Sequence, residues 1–335
     1  MGRILGVLKI IVPLALGVWL VFYFYRQLSG EHKQQLFDAF GRADMIWLWL
    51  SVLLGWLSHI SRAWRWRYLL DHMGYHPRFW NCYHAVMSGY FMNLLLPRAG
   101  EASRAALLYR REKIPFEKGF GTIMAERAVD LILLFLLTLT TILLQFEKLD
   151  LFRERIAGFR ADQGTSEEGG WGGLFLAILA LGVLSGGYFL ATRPALRARL
   201  MDTLRGFGEG LRSVTATRHK GPYLLHTLLI WVLYVGMFAV GFLCLPATSS
   251  VPWAGILAGF VAGAFGIVLV QGGIGVYPAF VAVIVSIYMA PPVGGGLLRP
   301  EALAMGWLIW TAQTLMIIVL GGISLLLISR SKATA

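Results

Sequence analysis

Charge is the scarcest property of this sequence. Only 14% of its 335 residues are Asp, Glu, Lys or Arg, against roughly 25% in soluble domains. A hydrophobic share of 57% and a mean hydropathy of +0.65 exclude a soluble globular domain. Acidic residues are scarcer than basic ones, 18 against 30, for a formal charge of +12. The basic surplus sits in short segments between apolar runs, as in loops beside anionic lipid. No polar domain exists to carry nucleic acid, so that partner class is excluded. The two cysteines, Cys82 and Cys244, both lie in apolar segments, which argues against a disulfide scaffold and a Cys-based metal site. The seven histidines lack ligand spacing. There is no HExxH pattern, no paired-aspartate run and no nucleotide-binding glycine loop. No metal or cofactor is expected. Arg3 and Lys9 precede an apolar run over 10–25 with no small-residue cleavage pattern after it, which reads as a retained first span rather than a signal peptide.

What is present is a series of apolar segments near the roughly 20 residues that a membrane crossing needs. Single spans are expected at about 5–25, 45–70, 119–146, 172–191, 222–245 and 302–328. The segment 26–44 reads as a mixed loop. The second span ends in HISRAWRWRYLL, where Arg62, Arg65 and Arg67 alternate with Trp64 and Trp66. Such a mixture at a boundary reads as interfacial anchoring, with a head-group pocket as the alternative. Residues 147–170 form a polar loop with four Lys/Arg and six acids, and 192–221 carry seven Lys/Arg against two acids. Leucines and Phe207 recur there at helical spacing, so an amphipathic surface helix is expected.

Two stretches break the pattern. The first, NLLLPRAGEASR over 93–104, packs proline, glycine, two arginines and a glutamate against the end of an apolar segment. Proline is tolerated in the first turn of a helix. A helix starting there puts Arg98, Glu101 and Arg104 on one side at three-residue spacing. Its first amides and two guanidiniums would face an anion. The alternative is a loop with ordinary interfacial charges. The second stretch, QGGIGVYP over 271–278, interrupts an apolar run with glycine and proline and suggests two half-helices or a tight hairpin. Between them, the long span after Lys118 carries Glu126, Arg127 and Asp130 in its first third. Glu126 and Asp130, four apart, share a face. Charges inside a span are costly and usually face a polar interior, so these three are expected to be partly intramembrane.

Orientation constrains the partition. The basic segments 62–78, 98–118, 192–221 and the C-terminal tail fall on the cytoplasmic side. Both 62–78 and 98–118 can lie there only if the segment between them enters and returns, and 251–290 must likewise return to the side it left. The expected fold class is therefore all-α: a single polytopic helical membrane domain over 1–335. It has about six to eight transmembrane helices, two re-entrant or broken-helix segments and both termini cytoplasmic. Interrupted segments in the two halves of a transporter point to a midplane substrate site.

Asn93, Pro97, Arg98, Gly100, Glu101 and Arg104, then Glu126, Arg127 and Asp130, then Gly272, Gly273 and Gly275, occur in that order. This set resembles the flippase-like membrane family that includes the transmembrane domain of lysylphosphatidylglycerol synthases, over about residues 5–328. The resemblance implies a helical bundle with re-entrant elements. It also implies a role in moving or handling lipids with charged or glycosylated head groups across the bacterial or archaeal inner membrane. Family members often carry proline before the glycine pair, where this chain has Gln271. They often carry an acid shortly after it, where this chain has Tyr277 and Pro278. A role for that acid does not carry over. Nor does the synthase activity, which belongs to a separate soluble domain.

The function expected from these readings is a lipid transporter or flippase for a lipid with a charged, phosphate-bearing head group, of the phospholipid or polyprenyl-phosphate type. Arg98 and Arg104 would hold phosphate. Glu101, Glu126 and Asp130, with Arg127, would balance the charge. Asn93, Gln271 and the amides after Gly272, Gly273 and Gly275 would complete the site. No catalytic residue is assigned. The alternatives are a non-transporting scaffold of an envelope-lipid synthesis complex and, more weakly supported, an intramembrane lipid-modifying enzyme. Envelope-synthesis partner proteins and oligomerisation stay open.

Overall fold

The computed structural model describes residues 30–96, 99–145, 219–290 and 298–330, with scattered positions between 15 and 26. The expected spans at 5–25 and 172–191, the polar loop and the amphipathic helix over 192–221 therefore lie wholly or mostly outside the described residues. The described part is built from helices: α1 (Gly30–Arg42), α2 (Met45–His72), α3 (Phe79–Leu95), α4 (Ala99–Glu112), α5 (Phe116–Gln145), α6 (Lys220–Gly241), α7 (Trp253–Leu269), α8 (Val276–Tyr288) and α9 (Pro300–Arg330). No strand occurs among the described residues.

The segment read as a mixed loop before the second span is instead helix α1, bent by 74° from α2. Asp44 sits between them, and its carboxylate accepts from the Ile46 amide at 2.9 Å. This satisfies one of the orphan donors of α2. His32, Leu36 and Ala39 recur at three- to four-residue spacing and are the buried face of α1. The loop reading failed because that face is only three residues wide and lies among polar ones.

Helices α5, α6 and α9 are long and apolar enough to cross a membrane. Helix α2 runs antiparallel to α5, since Arg62 meets Asp130 and Arg65 meets Glu126. It also runs antiparallel to α6, since Ser51 donates to the Met237 carbonyl at 2.8 Å while Ser61 meets His226 at 2.9 Å.

Each expected break is a turn between two antiparallel helices. Helices α3 and α4 touch backbone to backbone where Gly89 faces Gly100. A Cβ on Gly100 would collide with the Gly89 carbonyl and the Asn93 side chain. The Gly100 amide donates to Asn93 Oδ1 at 2.7 Å, so Asn93 caps the start of α4 across the turn. At the base of this hairpin, Glu112 at the end of α4 accepts from the Arg78 amide at 3.0 Å. Helices α7 and α8 close on a glycine stripe, Gly255, Gly259, Gly263 and Gly266. Against it lie Tyr288, Val285, Tyr277 and the backbone of Tyr277 respectively. Small residues at this spacing let two helices approach closely in hydrocarbon, where van der Waals packing drives association. The turn itself uses Gly272, Gly273 and Gly275, all at positive φ (67°, 69° and 71°), a region that side-chain-bearing L-residues rarely adopt.

The described chain thus repeats one pattern: long helix, returning hairpin, long helix (α2, α3/α4, α5, then α6, α7/α8, α9). The two hairpins open toward opposite ends of the bundle. Their tips meet, with a Leu94 methyl lying where a Cβ on Gly272 would come within 3.2 Å. Helix α9 is the shared spine. Near its start Gly306 packs on Pro278 of α8, and toward its end Gly321 packs on Phe91 and Met87 of α3. Between them the Trp310 indole donates to the Gly272 carbonyl at 2.7 Å.

Candidate functional site

Buried charge gathers where α2, α4 and α5 meet. Arg65 is fully buried. Its Nη1 and Nη2 donate to Asp130 Oδ1 and Oδ2 at 2.8 and 3.2 Å, the bidentate geometry that a planar guanidinium favours. Its Nε lies 3.4 Å from Glu126 Oε1. Arg62, one turn earlier, donates to Asp130 Oδ2 at 2.7 Å and to the Tyr234 hydroxyl at 3.2 Å. From α4, Arg104 brings Nη2 to 2.8 Å from Glu126 Oε2 and lays its guanidinium 3.8 Å above the Trp66 ring. The Trp66 indole donates to Thr122 Oγ1 at 2.9 Å, which fixes the ring under that cation. Arg127 donates to Glu101 at 2.8 Å and forms the more open rim of the cluster.

Four guanidiniums therefore face three carboxylates in these pairings, leaving one positive charge in excess within the cluster. Arg62 Nε and Arg104 Nε are buried without an acceptor among the described residues. Beside Arg104 lies a small hollow, with enclosed room for about one water-sized group, lined by Tyr90, Asn93, Gly100, Glu101, Arg104 and Arg127 together with Gly89, Val86 and Ile123. The cavity is bounded by the α3/α4 turn and the start of α4, where helix amides and the macrodipole favour an anion. An arrangement of this kind can hold an anionic group by charge-assisted hydrogen bonds.

The structure brings Asn93, Glu101, Arg104, Glu126, Arg127 and Asp130 together. Glu101 and Arg104 lie on one side of α4, as their spacing predicts, and both face α5. The helix begins at Ala99, so Pro97 and Arg98 fall outside the described residues, as does the side chain of Gln271. Gly272, Gly273 and Gly275 form the tip of the opposing hairpin, where Gly272 sits against Leu94 and Trp310. Arg110, in the same basic segment as Arg104, is on α4 and exposed. His84 hydrogen-bonds Ser324 Oγ at 3.0 Å, the packed role its apolar setting suggests.

The interfacial-anchor reading of Arg62 and Arg65 is overturned. Both are buried and paired, while Trp64 on the opposite face is exposed. The signal lay in the periodicity: Ser51, Gly55, Ser58, Arg62 and Arg65 recur at steps of three and four and form the buried face of α2. Tyr90, Tyr234 and Thr227, whose hydroxyl lies 3.5 Å from Arg65 Nη1, were beyond reach, because single polar residues in apolar spans carry no pattern.

Comparison with known proteins agrees with this architecture. The family model described as the lysylphosphatidylglycerol synthase TM region matches residues 10–322. A UPF0104 membrane protein of Methanocaldococcus jannaschii is 32% identical over 96 residues, which is 28% of this chain and 29% of the relative's length. The aligned part thus spans less than a third of that relative. No solved structure matches the chain.

Proposed function

Because the chain belongs to the family of the lysylphosphatidylglycerol synthase TM region, a family of multi-pass helical membrane proteins, we propose that it moves a lipid with a phosphate-bearing head group between the leaflets of a prokaryotic inner membrane. The observation that carries this reading is the half-met arginine at the cavity. Arg104 is 5% exposed, and its Nε lacks an acceptor among the described residues. It sits beside a hollow at the turn of a returning hairpin. A purely structural ion-pair cluster would be expected to satisfy its buried donors, because an unpaired one costs about 1–3 kcal/mol. A phosphate oxygen supplies the missing acceptor. Phosphate is also the group that must be shielded while hydrocarbon chains stay in lipid. Glu101 and Arg127 at the rim would pair with each other when the site is empty and open to hydroxyls or charges of the head group. The opposed hairpins, tip to tip at Leu94 and Gly272, resemble the interrupted helices that transporters place at a midplane site. With the basic ends cytoplasmic, the α3/α4 hairpin enters from the cytoplasmic leaflet and α7/α8 from the other.

The test is native mass spectrometry of the purified protein with its co-purifying lipids, comparing wild type, Arg104→Gln and the exposed control Arg110→Gln. A phospholipid or polyprenyl phosphate kept by wild type and Arg110→Gln but lost from folded Arg104→Gln supports the site. Equal retention by all three variants, or no lipid in any, overturns it. Either result turns the reading toward a scaffold in which the arginines are structural.

A further inference from the structure

Against the back of this site lies a group that none of the ion pairs uses. His59 is on α2, 5% exposed, and its Nδ1 is buried without a hydrogen-bond partner among the described residues. Its ring is tilted onto that of Tyr90, centroids 4.5 Å apart, with Tyr234 edge-on at 6.4 Å. Tyr90 is a wall of the cavity. Its hydroxyl meets that of Tyr234 at 3.3 Å, and Tyr234 in turn accepts from Arg62. An imidazole thus stands one aromatic ring behind the proposed phosphate position, stacked on a tyrosine whose hydroxyl belongs to the Tyr90–Tyr234–Arg62 chain. The charged and titratable groups around it are Arg62 on its own helix, Tyr90 on α3 and Tyr234 on α6. One contact further lie Asp130 and Arg127 on α5 and Arg104 on α4. Asp130 is already taken by Arg62 and Arg65, so His59 has no carboxylate of its own to hold a proton for.

Resting on the proposed anionic-lipid site, we infer that His59 is a proton-binding site filled when the phosphate arrives, so that the protein carries one proton with each anionic lipid. In the empty site a protonated His59 would be a buried cation one turn from Arg62 with no carboxylate of its own, which costs desolvation first and like-charge repulsion second. A phosphate at the cavity reverses that balance, and the Tyr90 ring face stabilises the imidazolium by a cation–π contact. Linkage fixes the sign. The lipid-bound state binds more protons than the empty one, so affinity rises as pH falls, by at most about tenfold per pH unit for a single proton. The chain carries no ATP-binding motif, and a proton taken up with the lipid would let a proton gradient drive its movement.

The experiment is calorimetric titration of the purified protein with phosphatidylglycerol at several pH values between about 5 and 8, the window of an imidazole. Its phosphodiester does not titrate there. Each titration is run in two buffers of different ionisation heat to count protons, on wild type, His59→Gln and His226→Gln, with melting curves to establish folding. The expected result is affinity that rises several-fold per unit toward low pH, with proton uptake on binding. His59→Gln should bind with a flat profile and no uptake, and His226→Gln should behave as wild type. A flat wild-type profile, or a pH dependence and proton uptake that survive in His59→Gln, overturns this inference alone. Phosphatidylglycerol that fails to bind folded wild type at any pH overturns the anionic-lipid reading and the inference with it. Should His59→Gln unfold, His59→Asn supplies the same comparison.

Discussion

Arg65 grips Asp130 with two parallel hydrogen bonds and touches Glu126 with its third nitrogen. The C-terminal half of α2 is therefore bolted to α5 by a buried ion pair. Removing one partner of such a buried pair leaves an uncompensated charge, which typically costs about 3–5 kcal/mol. Asp130→Asn strands two guanidiniums at once and should lie at the upper end of that range. Asp71→Asn, whose carboxylate meets the exposed His76 near the end of α2, should change stability by well under 1 kcal/mol. Thermal melting of both variants in one detergent checks the contrast. Equal melting temperatures would mean the central pairs do not hold the bundle.

Arg65 of α2 and Arg127 of α5 also differ in what a lysine could replace. Arg65 uses three nitrogens on two carboxylates, whereas an ammonium is a point donor without the planar fork. Arg65→Lys should therefore destabilise markedly. Arg127→Lys should be mild, because Arg127 makes one 2.8 Å contact with Glu101 and its side chain is 38% exposed. Chemical or thermal denaturation of the pair is the measurement, and a mild Arg65→Lys would refute the bidentate role.

The close approach of α3 and α4 gives a steric prediction. Gly100→Ala places a Cβ into the Gly89 carbonyl, while Gly121→Ala on α5 meets nothing within 4 Å. Gly100→Ala should prise the hairpin open and displace Asn93 from its cap, so it should lower both melting temperature and lipid retention. Gly121→Ala should be neutral or slightly stabilising, since alanine is the better helix former by about 1 kcal/mol. Melting curves with mass spectra of retained lipid test both halves.

Much of this architecture was legible from residues alone, for reasons that can be named. The returning hairpins followed from charge, because two successive basic segments cannot share a side unless the chain between them turns back. Glu101, Arg104, Glu126 and Asp130 followed from helical spacing and from the cost of charge in hydrocarbon. What escaped was the partner helix. Arg62 and Arg65 sit between Trp64 and Trp66, and that local mixture looks interfacial. Only the longer step from Ser51 through Ser58 to Arg65 shows that they face inward. Pairing across helices more than sixty residues apart leaves no local mark, so sequence alone supplied Glu126 and Asp130 without Arg62 and Arg65.

The tip of the second hairpin offers a final prediction, which separates fold from movement. Gly272 holds φ at +67°, and its carbonyl is tethered by the Trp310 indole. Placing a side chain in the left-handed region costs about 1–2 kcal/mol, and the Leu94 methyl lies 3.2 Å from where a Cβ would be. Gly272→Ala should therefore destabilise by more than that backbone cost alone. Trp310→Phe removes the tether, which stabilises by about 1 kcal/mol, and part of the ring packed on Trp307, and it leaves the Arg104 cavity untouched. If the meeting of the two tips is the barrier between the leaflets, Trp310→Phe should retain lipid like wild type in mass spectra. It should also change the rate at which fluorescent phospholipid crosses reconstituted vesicles. Unchanged rates with retained lipid would place the barrier elsewhere, and lost lipid would show that the tip contact supports the binding site itself.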